Sequence, residues 1–449
     1  MKRAWRWPLG GFVVGALVGA TILTVNVVGA SSPEPPAAAH SFGEILHTPP
    51  LIVKHDDPVK LTFDVVCGML EDRPRPRCSP SGTVYARASG EHEFDALPLS
   101  KEPGGLLSAE LPSRYTSGSG FDYYVEIEDG WGASERLPKS GMDAPQQVWT
   151  IAEWSRIPLE SLGTGRMRSP DSVPATFVWG KGEGALGLDS SREQSRIGPS
   201  AFDVALDGSL VVLDQVNRRL VVMHRGKRSD LPIAFAGGEG DLAVGRDGTI
   251  YVLDAGSAKP SVAAFNRAGD LIAETPLAEP IADMVRAGPS GPIVHAYPSE
   301  MWLPTGAGRP PLTPEHQIAG ARTARSVDGG VGVVVSATPA EARLALVRGD
   351  RVVHAWLLRG SESLGEVQLA EPYGDGLLVV VRLWSEKRAE FRVLQLAPNG
   401  LVESFVVDRA EWAESASLSR FRLRASTLYQ LRSAPRGVEI AAFQIGGTS

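Results

Sequence analysis

The chain has no surplus of positive charge, few cysteines and none of the short motifs whose chemistry is well understood. Its 45 Lys and Arg are outnumbered by 52 Asp and Glu, a net charge of −7. That balance does not suit a dedicated nucleic-acid binder, which usually carries a basic patch or stripe. Only two of 449 residues are cysteine, and they form neither a Cys-x-x-Cys nor a second ligand pair, which argues against a zinc ribbon. No His-Glu-x-x-His, Gly-x-Ser-x-Gly, Walker or EF-hand sequence occurs. With 22% charged and 43% hydrophobic residues, disorder and a long coiled coil are also disfavoured.

What is plentiful is turn material. The 49 glycines and 34 prolines make up about 18% of the chain, against an ordinary ~12%. The length suits about two or three domains.

Lys2, Arg3 and Arg6 precede an uncharged, largely apolar run over residues 7–30. At ~1.5 Å per residue such a helix spans the ~30 Å hydrocarbon core, with the positive flank in the cytoplasm and the body outside. The rival reading is a signal peptide cleaved after Ala30, where Val28-Gly29-Ala30 supplies small residues. Residues 31–41, rich in Pro and Ala, read as an extended stalk. Outside the cytoplasm, Cys67 and Cys78 most simply pair as a disulfide, worth ~2–3 kcal/mol for so short a loop.

Residues 42–145 alternate in the strand manner, at 59–66, 83–88, 93–99, 106–111 and 121–128, with shorter runs at 51–53 and 133–137. Turn residues separate them, so about seven short strands form a small β-sandwich. It is acidic, with 17 acidic and 10 basic side chains over 42–143. Arg73-Pro-Arg-Pro-Arg77 reads as a solvated loop tip. Residues 146–174 read as a linker.

From 175 to 449 the chain repeats. Asp207-Gly208 and Asp247-Gly248 each sit between two apolar runs, the second closing on Leu-Asp at 213–214 and 253–254. Ser290-Gly291, Asp328-Gly329 and Asp375-Gly376 continue the series, and a last unit covers 421–431 and 437–445. A period near 40 residues fits one four-stranded propeller blade, and the length gives six. Asp207, Asp214, Asp247 and Asp254 recur at turn offsets, where aspartates accept backbone N–H bonds, rather than as a ligand set.

The sequence 121–132, Phe-Asp-Tyr-Tyr-Val-Glu-Ile-Glu-Asp-Gly-Trp-Gly, preceded by Leu-Leu-Ser-Ala-Glu-Leu-Pro112, resembles the late strands of bacterial immunoglobulin-like or fibronectin-III-like modules. The stretch from Pro199 through Asp207-Gly208 to Leu213-Asp-Gln-Val-Asn-Arg-Arg-Leu-Val-Val222 resembles NHL-repeat propellers. That resemblance implies a surface for proteins, peptides or RNA, while related six-bladed propellers include lactonases and lyases holding a metal in the channel. The acidic chain and export disfavour RNA.

The expected fold is all-β after an N-terminal membrane or signal helix: a small Ig-like β-sandwich, then a six-bladed β-propeller. The expected function is a non-enzymatic, exported or membrane-anchored envelope protein, without cofactor, whose propeller face binds a protein, peptide or glycan. It binds no nucleic acid and meets the membrane through the N-terminal helix only. The alternative is a metal-dependent lyase- or lactonase-like enzyme with Ca or Zn in the channel. The propeller histidines are His224, His295, His316 and His354. The binding candidates are His224, His295 and Trp302, the last in the Pro-bounded aromatic segment 297–304, which reads as a face loop. Gly182-x-Gly184-x-x-Gly187 follows a strand but has no amphipathic helix after it, so it does not read as a dinucleotide site.

Overall fold

The computed structural model describes residues 44–66, 79–130, 133–143, 145–190, 195–234, 240–257, 259–277, 282–288, 291–296, 301–304, 318–319, 331–348, 351–413 and 420–446. Residues 1–30 and 31–41, Cys67, Cys78, the 73–77 loop and His316 lie outside them. Among the described residues there is no α-helix, only the 3-10 turns Ser113–Tyr115 and Gly141–Asp143. No described helix is long and apolar enough to cross a membrane.

Two sheets share the first core. In Val59–Val66, Val59, Leu61 and Phe63 are buried while Lys60, Thr62 and Asp64 are exposed, the period-2 alternation of a strand with one wet face. This strand lies between Glu44–Leu46 and Leu107–Leu111, with Ser100–Lys101 beyond. The facing sheet runs Ile52–Lys54, Gln146–Ile151, Gly120–Glu128, Ser81–Ala88, Asp95–Pro98, with Ser134–Leu137 also pairing to Gly120–Glu128. Phe63, Val84, Leu107, Phe121, Val125 and Val148 meet between the sheets. Complete burial of each such side chain stabilises by ~1.5–3 kcal/mol. His47 closes one edge of this core. Its Nδ1 is 2.7 Å from the Thr62 carbonyl, its Nε2 2.5 Å from Tyr123 Oη, and its ring stacks on Phe63 at 4.2 Å.

Among the described residues six further sheets follow, one per blade. Blade 1 comprises Ala201–Val204, Leu210–Asp214, Arg219–His224 and Lys227–Pro232; blade 2 comprises Gly240–Val244, Ile250–Asp254, Ser261–Phe265 and Leu271–Pro276. Blade 3 comprises Ala282–Gly288, Gly291–Ala296, Met301–Pro304 and Ile318–Ala319. Blade 5 is Ser363–Tyr373, Gly376–Trp384, Ala389–Ala397 and Gly400–Val407. In blade 1 the turn glycine, Gly208, has φ +83°, which only glycine adopts freely, and Asp207 Oδ1 accepts the Ser209 N–H at 3.0 Å.

Blades 4 and 6 are completed from upstream sequence. Blade 4 has three strands of its own, Val331–Ala337, Glu341–Arg348 and Arg351–Arg359, and takes Ser155–Pro158, parallel to the last, as its fourth. Blade 6 has Phe421–Arg424, Thr427–Ala434 and Gly437–Gln444, then takes Ser172–Trp179 and the short Ala185–Leu186. Between these two additions, Met167 bridges Val406 on the outer strand of blade 5. Arg392, 1% exposed, donates to the carbonyls of Glu160 and Ser161.

Residues 146–174 therefore do not form a linker. Gln146–Ile151 is a strand of the sandwich, and 155–179 is a belt around the outer edges of blades 4, 5 and 6. The expected turn of blade 4 also shifts. Its first two strands are joined by residues 338–340, where Thr338 Oγ1 accepts the Glu341 N–H at 3.2 Å; Asp328-Gly329 precedes the inner strand.

Apolar side chains fill the spaces between blades 1 and 2, 2 and 3, 4 and 5, 5 and 6, and 6 and 1. The face of blade 4 opposite blade 5, formed by Val334, Ala345, Val347 and Ala355, is covered by Leu51, Ile52, Trp149 and Ile151 of the sandwich. Sandwich and propeller thus share a continuous apolar contact.

Candidate functional site

The inner strands bring charge toward the axis. Asp203 of blade 1 accepts the Val244 N–H of blade 2 at 2.8 Å, and Asp241 of blade 2 accepts the Val285 N–H of blade 3 at 3.0 Å. Each aspartate thus ties its inner strand to the next. Arg286 donates to Asp241 at 2.9 Å, and Arg422, from blade 6, reaches it at 3.1 Å. Arg422 Nε lies 3.7 Å from Asp203, and Arg424 donates to the Val204 carbonyl at 2.7 Å. Asp203, Asp241, Arg286 and Arg422 are 2% exposed or less. Their carboxylates are engaged by guanidinium and backbone donors, which orients neighbouring blades and leaves no open ligand set.

The candidates from sequence do not converge. His224 ends the third strand of blade 1, beside the turns, with Nδ1 2.7 Å from Ser209 Oγ. His295 lies in the second strand of blade 3, fully buried, with Nδ1 2.6 Å from Asp283 Oδ1. Trp302 sits on the third strand of that blade, in register with His295 and Ile318. It is not on a face loop, because Met301–Pro304 pairs on both sides. His295 and Trp302 are therefore cross-strand neighbours, and His224 belongs to another blade. Among the described residues no three His, Cys, Asp or Glu side chains are grouped to hold a metal.

The turn aspartates behave as structural acceptors. Asp214, fully buried, receives Gly187 N–H at 2.9 Å, Asn217 Nδ2 at 2.8 Å and Arg219 Nε at 2.9 Å. The Asp247 carboxyl is held below its ordinary range by hydrogen bonds from Thr249. Gly187, the last glycine of the Gly-x-Gly-x-x-Gly match, packs where a Cβ would meet Val216 and Asp214. That sequence leads into Ala185–Leu186, a short strand parallel to Ser172–Trp179 at the outer edge of blade 6.

A site missed by the sequence reading lies on blade 5, at the end where second strands pass to third strands. The hairpin 385–388, the start of Ser363–Tyr373 and the segment after Gly400–Val407 enclose a cavity of about 440 Å³. Arg382, Trp384, Lys387, Arg388 and Arg409 line it, with Glu366 and Glu386. Arg409 is 2.7 Å from Glu411, and Glu366 accepts from Gln368 at 2.8 Å. Arg382, Lys387 and Arg388 form no ion pair with any described residue, and Arg382 Nε is buried without an acceptor. Trp384 is 44% exposed. Behind the cavity, Arg420 is 4% exposed and 3.3 Å from Glu411. Burial lowers its guanidinium from the ordinary value, and the like charges of Arg382 and Arg409 push the same way, against Glu411. The sequence signal was the run Trp384-Ser-Glu-Lys-Arg388, an aromatic followed by charges across a hairpin.

Fold and site together define a β-propeller protein with a β-sandwich fastened to one blade and a cationic cavity on blade 5. The chain matches no protein-family model and no curated protein. It is similar to a functionally unknown protein from Desulfotomaculum acetoxidans, at 13% identity over 57% of this chain and 86% of that one, TM-score 0.38. It is similar to regucalcin, a calcium-binding protein from Agrobacterium tumefaciens, at 13% identity over 66% and 98%, TM-score 0.34. It is also similar to a gluconolactonase from Xanthomonas campestris, at 11% identity over 64% and 99%, TM-score 0.30. Likeness at this level carries no argument about activity.

Proposed function

We propose that the protein is a non-enzymatic, exported or membrane-anchored envelope protein whose propeller end binds a protein, peptide or glycan partner. The observation that carries this reading is the blade 5 cavity, where Arg382, Lys387 and Arg388 have no described acidic partner beside the exposed Trp384. Cations left without partners in a concave site are available to a ligand. Export rests on residues 1–30, and the sandwich serves as a spacer.

Two finer assignments have structural support. Two sheets packed face to face over one core, one of them with four antiparallel strands, support the immunoglobulin-like reading. In blade 1, Asn217 and Arg219 both bind Asp214, the element on which the NHL-like reading rests.

A metal-dependent propeller enzyme is the second reading, favoured by the pairing of buried His295 with the partly exposed Asp283. Elemental analysis separates the two: stoichiometric, tightly held Zn²⁺ or Ca²⁺, lost on replacing His295, would overturn the binding reading. A combined glycan and peptide array probed with the full chain tests it directly. The expected result is a ligand class whose signal disappears in Arg388→Glu; no signal on either class, or signal untouched by that change, refutes the reading.

A further inference from the structure

We infer that the blade 5 cavity binds an acidic sugar unit, a pyranose ring bearing one carboxylate, with Trp384 against the ring and Arg382 and Arg388 on the carboxylate. The inference rests on the binding reading above and names its ligand class.

Charge gives the first argument. The protein as a whole carries −7, yet this cavity gathers Arg382, Lys387, Arg388 and Arg409 against Glu366 and Glu386. Arg409 is already engaged by Glu411, which leaves three cations. A guanidinium fork matches a carboxylate with two parallel N–H···O bonds. The buried, acceptor-less Nε of Arg382 is the kind of group whose desolvation an incoming anion offsets.

Shape and the two glutamates give the rest. Trp384, 44% exposed, presents a flat apolar face with negative charge density above the ring. The C–H face of a pyranose complements it. Glu366 and Glu386 would repel a bare phosphate, whose oxygens offer them no hydrogen to accept, but accept hydrogen bonds from sugar hydroxyls. Cations, hydroxyl acceptors and an aromatic plate together fit one carboxylate among several hydroxyl groups. A volume of about 440 Å³ lies at the small-ligand end of binding sites, which suits one or two sugar rings.

Calorimetric titration of the full chain in detergent tests this with tetragalacturonate, maltotetraose and inorganic phosphate. Tetragalacturonate is expected to bind, to weaken as salt rises, and to lose at least tenfold in affinity in Trp384→Ala and in Arg382→Gln. Maltotetraose and phosphate are expected to bind at least tenfold more weakly. Arg388→Gln, at an exposed position, serves as the second cation variant if Arg382→Gln disturbs folding. The inference is overturned if tetragalacturonate shows no binding at millimolar concentration, if the variants leave its affinity unchanged, or if phosphate binds as well. An array signal on peptides that Arg388→Glu abolishes, with no uronate binding, would remove the sugar while leaving the binding reading in place.

Discussion

Acid weakens the sandwich through His47. Burial lowers this histidine from 6.5 to about 4, against the backbone acceptor at Thr62, which pulls the other way. Between those values the unfolded chain takes up a proton that the folded chain refuses, so folding stability falls as pH falls. The stabilisation is complete above pH 6.5, declines below it and levels off below about 4. At about 1.4 kcal/mol per pH unit the full drop is about 3 kcal/mol; because His47 keeps some accessible surface, a loss of ~2–3 kcal/mol is expected. The perturbation is His47→Asn, which removes the titration. Urea denaturation of both proteins at pH 7.5, 5.5 and 4.0 gives the difference between them, in which the other titrating groups cancel. Relative to the variant, the wild type loses ~2–3 kcal/mol between pH 7.5 and 4.0. A difference that stays flat to within ~0.5 kcal/mol, or an imidazole seen by NMR to titrate near 6.5, would refute the reasoning.

Other sites give sharper single tests. Asp241→Asn leaves Arg286 and Arg422 buried with less neutralising charge, and a loss of ~3–5 kcal/mol is expected from urea unfolding; under ~1 kcal/mol would mean that the cluster does not hold the blades. Gly437 has φ +150°, and a Cβ there would collide with the Phe177 carbonyl, so Gly437→Ala should detach Ser172–Trp179, seen as faster hydrogen exchange at 172–179. Trp356, fully buried with Nε1 2.8 Å from the Ala397 carbonyl, joins blades 4 and 5. Its replacement by Ala should cost ~3–5 kcal/mol, read as a lowered thermal midpoint.

The parts of the fold that repeat were legible in the sequence. Period-2 alternation marked Val59–Val66 and Gly120–Glu128, and Asp-Gly turns placed blades 1, 2 and 5. What escaped was pairing over long distance. Ser155-Arg-Ile-Pro158 has too little alternation to announce a strand, and its partner lies some two hundred residues downstream. The inner-strand aspartates recur too, in Phe202-Asp-Val, Gly240-Asp-Leu and Ala282-Asp-Met. Sequence does not separate them from the turn aspartates, because Asp203 and Asp241 find partners on other blades and Asp283 finds His295 on the next strand of its own. The cavity was hidden for the same reason. Arg382, Arg388 and Arg409 are ordinary surface residues until three loops place them around one space.

The belt also sets a timetable for folding. Residues 44–151 hold all the strands of their sandwich and can fold soon after they are made. Ser155–Pro158 and Ser172–Trp179 come next, but their partners, Arg351–Arg359 and Gly437–Gln444, are synthesised much later. Two strand edges therefore stay open while nearly the whole ring is built, and pairing across such separations is slow. A chain ending before residue 437 would leave 172–179 without its long partner strand, an exposed edge suited to joining a second chain. Blade 6 becomes a finished sheet only when the last strand of the chain reaches Ser172–Trp179.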